Sequence, residues 1–145
     1  MRRKARERVL KLLYQSELSG EESGPGFTAL FEQEKTQQPE TVFARELFSG
    51  VVDNRDKIDA LLKEHSTHWQ LGRMAVIDRN ILRLATFELI FRPDIPAKVA
   101  INEAVELAKK YASADSPSFV NAVLDKIRLH HPSVAHSPKL ISIKC

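Results

Sequence analysis

The chain has 145 residues, of which 43% are hydrophobic and 28% charged, the balance of one ordinary globular domain rather than of a disordered segment. Its single cysteine, Cys145, excludes an intrachain disulfide and a thiolate metal cluster, which fits a reducing, cytoplasmic setting. Net charge is only +3, but Arg2, Arg3, Lys4, Arg6, Arg8 and Lys11 crowd the first eleven residues against Glu7 alone, a distribution that suits an anionic partner such as nucleic acid.

Apolar residues recur three and four positions apart in nearly every segment, so the spacing predicts an all-α bundle of about seven helices. The first helix runs from about Arg2 to Leu18, with Val9, Leu10, Leu13 and Tyr14 on one face and a stop at Ser19-Gly20. The apolar run Val9 to Tyr14 is interrupted by Lys11 and has no cleavage site behind it, so it does not read as a secretory signal. Gly20 to Gly26 reads as a surface loop, followed by a short helix from Thr28 to about Lys35. Pro39-Glu40-Thr41 opens a helical region to about His65, broken near Asp53-Asn54, with Phe43, Leu47, Phe48, Val51, Ile58, Leu61 and Leu62 inward.

Trp69 to Gly72 reads as a turn, and a helix follows from about Arg73 to Phe91, stopped by Pro93 and Pro96. Its inner face carries Met74, Ile77, Ile81, Leu84 and Ala85, and its charges, Asp78, Arg79, Arg83 and Glu88, exclude a membrane span. The next helix, about Lys98 to Ala112, turns Ile101, Ala104, Val105 and Ala108 inward and spaces Glu106 and Lys110 for an outer ion pair. A last helix, with Pro117 in its first turn, reaches about His130 with Val120, Val123, Leu124 and Ile127 inward. Residues 1–130 thus form one domain, and 131–145, holding Pro132 and Pro138, an irregular tail.

Cations at a helix N-terminus oppose the macrodipole at about 0.3–1 kcal/mol each, so folding alone would not select them. Arg2 and Arg6 share the side of Val9 and Leu13, so the stripe turns cationic at its tip and offers a ledge for phosphates; a merely solvated, frayed terminus is the competing reading. Arg79 and Arg83, four apart, repel unless an anion lies between them, which places Arg79 among the candidate RNA contacts; a solvated pair is the alternative. Phe119 sits about 40° outside the last helix's stripe beside Lys126, as a base-stacking platform or as core, and Asp115 before it is a contact or a cap. Tyr14, at the edge of its stripe, serves core or contact equally well. Asn121 lies on the outer side of the last helix.

No phosphate loop, nucleophile elbow or singled-out carboxylate pair is present, so the chain does not read as an enzyme and implies no cofactor. His65 and His68 lie one turn apart without a placed third ligand, so no metal site is assigned; His130, His131 and His136 are expected in solvent.

Several stretches together resemble one family. Ile95-Pro96-Ala97-Lys98-Val99-Ala100-Ile101-Asn102-Glu103-Ala104-Val105-Glu106-Leu107-Ala108-Lys109, then Asp115-Ser116 and Phe119-Val120-Asn121-Ala122-Val123-Leu124-Asp125-Lys126, closely resemble the signature of NusB antitermination factors. The first helix, Arg3 to Tyr14, and Ile81-Leu82-Arg83-Leu84-Ala85 are similar too, and Ala122 stands where the family commonly has glycine. The resemblance implies two small helical subdomains and binding of the boxA element of ribosomal RNA leaders, together with NusE, a small-ribosomal-subunit protein, in a complex on RNA polymerase. It places RNA contacts at Arg2, Arg3, Arg6, Asp115 and Phe119, and the NusE-facing surface at Tyr14, Asp78 and Arg83.

The same domain also opens ribosomal RNA cytosine methyltransferases by resemblance, but this chain is too short for that catalytic half. A helical adaptor that meets only protein is the other rival. Shared apolar helix faces leave a homodimer open.

Overall fold

The computed structural model describes residues 2–20, 37–66 and 74–131. Six helices lie among them: α1 (Arg2–Ser19), α2 (Pro39–Asp53), α3 (Arg55–His65), α4 (Val76–Phe91), α5 (Ala97–Tyr111) and α6 (Ser116–His130). The helix expected over Thr28 to Lys35, the turn Trp69 to Gly72 and the tail from Pro132 lie outside the described residues.

Local chemistry explains the helix ends. Gly20 takes φ 81°, the left-handed geometry that glycine adopts without a Cβ clash, and closes α1. Pro39 starts α2, where a missing N–H costs nothing. The break between α2 and α3 falls at Asn54, whose backbone N–H and side-chain Nδ2 both donate to the Gly50 carbonyl, at 3.1 and 2.8 Å. Pro96 precedes the first residue of α5 and Pro117 lies in the first turn of α6.

α4 is the central element: α1, α2, α3, α5 and α6 all pack on it. Every residue from Asn80 to Leu89 is buried, so the helix has no solvated face along that stretch. α1 pairs with α2 on one side, and α5 pairs with α6 on the other, with α3 reaching both α4 and α6. Val9, Leu10, Leu47, Ile58, Leu62, Ile81, Leu82, Leu124 and Ile127 are essentially without solvent contact in the shared core. Gly50 lets α2 approach α4 closely, because a Cβ there would run into the end of the Phe87 ring. No helix among the described residues is long and apolar enough to cross a membrane.

Complete enclosure gives α4 an unusual interior, since Asn80, Arg83, Thr86 and Glu88 are buried together with its apolar residues. The amphipathic stripe expected from Met74, Ile77, Ile81, Leu84 and Ala85 therefore understates its contacts. Buried charges need partners, and those partners determine much of what the surface can offer.

Candidate nucleic-acid interface

α1 lies beside α5 with side chains bridging the two at matching heights. Arg3 donates from Nε and Nη2 to the two carboxylate oxygens of Glu103, at 3.1 and 2.7 Å. Lys110 donates to Glu7 at 2.9 Å, and Lys11 stands 5.8 Å from the centre of the Tyr111 ring. The result is a shallow charged groove lined by Arg3, Glu7, Glu103, Glu106, Lys109 and Lys110. Arg3 holds Glu103 below the usual carboxylate range, and Lys110 does the same for Glu7, each chiefly by hydrogen bonding. The outer pair expected between Glu106 and Lys110 is replaced: Lys110 turns across to Glu7, and Lys109 approaches Glu106 at 3.8 Å.

Arg2, Arg3 and Lys4 are exposed at the tip of α1. Arg2 lies over the Phe43 ring at 4.2 Å and 3.9 Å from Asp94, with its side chain still half in solvent. Arg6 behaves differently. It is only 4% exposed and donates to Glu88 at 2.7, 3.0 and 3.1 Å, with Glu103 at 3.6 Å from its other terminal nitrogen. The stripe does turn cationic where the sequence placed the change, but at Arg6 it is still inside the core. Phosphate would have to displace a buried carboxylate to reach this guanidinium, which corrects the expectation that Arg6 is a direct contact. Burial pushes Glu88 toward the protonated form while Arg6 opposes it.

Arg79 and Arg83 undergo a parallel correction. The anion that their spacing calls for is present, and it is Glu17 of α1. Glu17 accepts from Arg79 Nε at 2.5 Å, with Nη2 closer still, and from Arg83 Nη1 at 2.7 Å. Arg79 also donates to the Met74 carbonyl at 2.9 Å. Arg83 makes a two-pronged bond to Asp59 of α3 at 2.9 and 3.1 Å and is 2% exposed. Neither guanidinium is displayed as expected: Arg79 is turned toward Glu17, and Arg83 is buried between Glu17 and Asp59.

The remaining predicted residues gather where α5 hands over to α6. Asp115 occupies the N-cap position of α6 but makes no side-chain cap bond, so its carboxylate stays exposed instead of serving as a simple cap. Phe119 is half-buried, packed on the core with part of its ring accessible, and Asn121 is exposed. Ser116 Oγ donates to Asp78 Oδ1 at 2.8 Å, joining the start of α6 to the first turn of α4. Tyr14 is 38% exposed and borders an apolar hollow with Leu10, Ile77 and Tyr111. Asp78 follows Ile77 of that hollow in the chain, and its bond from Ser116 joins the first turn of α4 to the segment carrying Asp115 and Phe119. Glu103 and Tyr111 lie about two turns apart on α5, a rise of roughly 12 Å along that helix.

Spacing along the chain does not single out Glu17, Glu88 or Glu103 as organising groups. Glu103 lies within the Ile101-Asn102-Glu103-Ala104 motif, which was a usable signal, whereas Glu17 and Glu88 are joined to their arginines only by the fold. His131, expected in solvent, is half-buried against His65, with their ring centres 4.6 Å apart.

A helical bundle with an exposed cationic helix tip and a charged groove beside it is of the class that suits an anionic partner such as nucleic acid. Residues 3–128 match the NusB family. The chain is 48% identical over 130 residues to the transcription antitermination protein NusB of Myxococcus xanthus, covering 87% of this chain and 93% of that one. It is 46% identical over 132 residues to the NusB of Bdellovibrio bacteriovorus, covering 90% and 96%. Among solved structures, T. maritima NusB superposes with a TM-score of 0.81 at 36% identity over 98% of this chain and 97% of that one. NusB in a crystal structure with NusE and double-stranded RNA superposes at 0.76, with 30% identity over 90% and 97%. The chain belongs to the NusB family, and the relatives named above are transcription antitermination proteins.

Proposed function

We propose that this chain is a cytoplasmic antitermination factor that binds boxA RNA of ribosomal RNA leaders together with NusE and joins the antitermination complex on RNA polymerase. The observation that carries the reading is the exposed cationic tip of α1, Arg2, Arg3 and Lys4, with Arg3 opening onto the charged groove between α1 and α5. The tip supplies phosphate contacts, which fix position, and Phe119 supplies a face for an unstacked base, which is how single-stranded RNA is recognised. Asp115 offers a carboxylate acceptor to base amino groups. Arg6 and Arg79 act indirectly, by fixing α1 against α4 through Glu88 and Glu17.

Tyr14 and Asp78 mark the NusE-facing surface, with the hollow beside Tyr14, Leu10, Ile77 and Tyr111 as its apolar centre, and Arg83 contributes indirectly by holding Glu17 of α1. The likeness to a NusB that was crystallised with NusE and double-stranded RNA supports NusE and RNA as the partners. Residues 1–130 act as the RNA-binding domain.

The test is a salt-dependent titration of labelled boxA RNA against a scrambled strand, with and without NusE. The expected result is a preference for boxA, tightened by NusE, with log affinity falling linearly in log salt at about −0.7 per phosphate contact. Equal binding of both strands, or none at low salt with NusE supplied, overturns the reading.

A further inference from the structure

The C-terminal ends of α3 and α6 meet far from the groove, and three ligand-type side chains converge there. His65 Nε2 stands 2.5 Å from His131 Nε2. Glu64 Oε2 lies 3.7 Å from the first of these nitrogens and 3.4 Å from the second. One donor atom from each residue fits within a span of 4.8 Å. The rings meet nearly edge-on, at an interplanar angle of 73°.

Two imidazole nitrogens this close cannot both carry hydrogen, because an N–H···N bond needs about 2.9 Å and two facing hydrogens would clash. At least one Nε2 therefore presents a bare lone pair to the other. What fits between them is a shared proton or a cation. Bonds of about 2.0–2.1 Å to a tetrahedral divalent ion place two nitrogens about 3.3 Å apart, so accommodation needs less than about 1 Å of ring movement. Glu64, which is exposed, closes the set from the solvent side. His130, whose ring centre is 5.1 Å from that of His65, directs Nδ1 to the Lys126 carbonyl at 2.8 Å. Lys126 opposes a cation, but its side chain is exposed and its charge is screened by solvent.

We propose that Glu64, His65 and His131 form a binding site for a first-row divalent cation of the zinc class, which fastens the end of α3 to the end of α6. Two imidazoles and one carboxylate suit a borderline ion that retains water, and do not suit magnesium or calcium, which take oxygen ligands. The site would close a separation of 66 residues along the chain. It lies about 18 Å along α6 from Phe119, so loading it leaves the RNA contacts untouched.

The experiment uses the full chain, freed of metal by a chelator and dialysed. Zinc is titrated in competition with a chromophoric chelator, and cobalt is followed by its visible absorption. The expected result is saturable uptake of one ion per chain and a melting temperature raised on the order of 5–10 °C at a hundredfold excess over Kd. His65→Gln and His131→Gln should each weaken zinc at least about tenfold, while a His136→Gln/Cys145→Ser double variant keeps it. His131 is part-exposed, so its variant folds and keeps the test decisive if His65→Gln does not. No saturable uptake below about millimolar zinc, affinity unchanged in His131→Gln, or affinity abolished in the His136/Cys145 variant overturns the site.

Discussion

Arg6 and Glu88 form a two-pronged ion pair across the α1–α4 contact, with both side chains almost wholly removed from water. Removing one partner strands the other charge in the interior, at a cost of about 3–5 kcal/mol, whereas replacing both with apolar groups of similar volume is often neutral. Glu88→Ala should therefore lower the denaturation midpoint severely, and Arg6→Met with Glu88→Leu should restore most of it. A single-variant loss under about 1 kcal/mol in chemical denaturation would show that the pair is not buried as described.

The groove makes a separate prediction for RNA. Arg2→Glu and Arg3→Glu should weaken boxA binding and flatten the salt dependence by about 0.7 for each phosphate no longer held. Phe119→Ala should cost about 1–3 kcal/mol in binding, with the helical circular dichroism retained. If Phe119→Ala instead lowers the melting temperature sharply while affinity per folded molecule holds, the ring belongs to the core alone.

Packing of α2 on α4 depends on the missing side chain at Gly50. A methyl there would meet the end of the Phe87 ring, which is itself stacked on Phe91 with centres 5.5 Å apart and has little room to withdraw. Gly50→Ala is expected to destabilise by about 1–3 kcal/mol through overpacking, despite alanine's better helix propensity. A calorimetric melting temperature equal to or above that of the parent would contradict this.

Thr86 is fully buried, and its hydroxyl has no hydrogen-bond partner among the described residues. An unsatisfied buried hydroxyl carries a desolvation cost of about 1–3 kcal/mol. Thr86→Val keeps the branched shape and removes that cost, so a rise in melting temperature is the expected outcome, measured by thermal circular dichroism.

Glu7, Asp94 and Glu103 are all held below the usual carboxylate range, principally by hydrogen bonds from Lys110, Arg92 and Arg3. The unfolded chain then takes up protons at higher pH than the folded one, so this stabilisation is present above about pH 4–5 and is lost as the pH falls through and below that range. Melting temperature followed from neutral pH into acid should decline there, and Glu103→Gln should make the decline shallower. An identical slope for the variant would remove Glu103 from this effect.

Much of the architecture was legible because helix periodicity is local. The stop at Gly20, the break at Asn54 and the ends at Pro93 and Pro96 each follow from residues beside them. The groove was legible only in part. The azimuth of Arg6 correctly put it on the apolar stripe, but its partner Glu88 is 82 residues away, so a buried cation looked like a displayed one. The like-charged Arg79 and Arg83 signalled a missing anion, while Glu17, 62 and 66 residues distant, could not be named from spacing. Phe119 and Asp115 fared better, since their exposure depends on the register of a single helix.

The enclosure of α4 also has a kinetic meaning. A staff gripped by all five neighbouring helices cannot be uncovered by peeling away one of them, so partial openings should spare its middle. The amides of residues 84 to 89, whose helical acceptors also lie within the buried stretch, should be the slowest in the protein to exchange with deuterium, and they should do so only when the whole bundle comes undone.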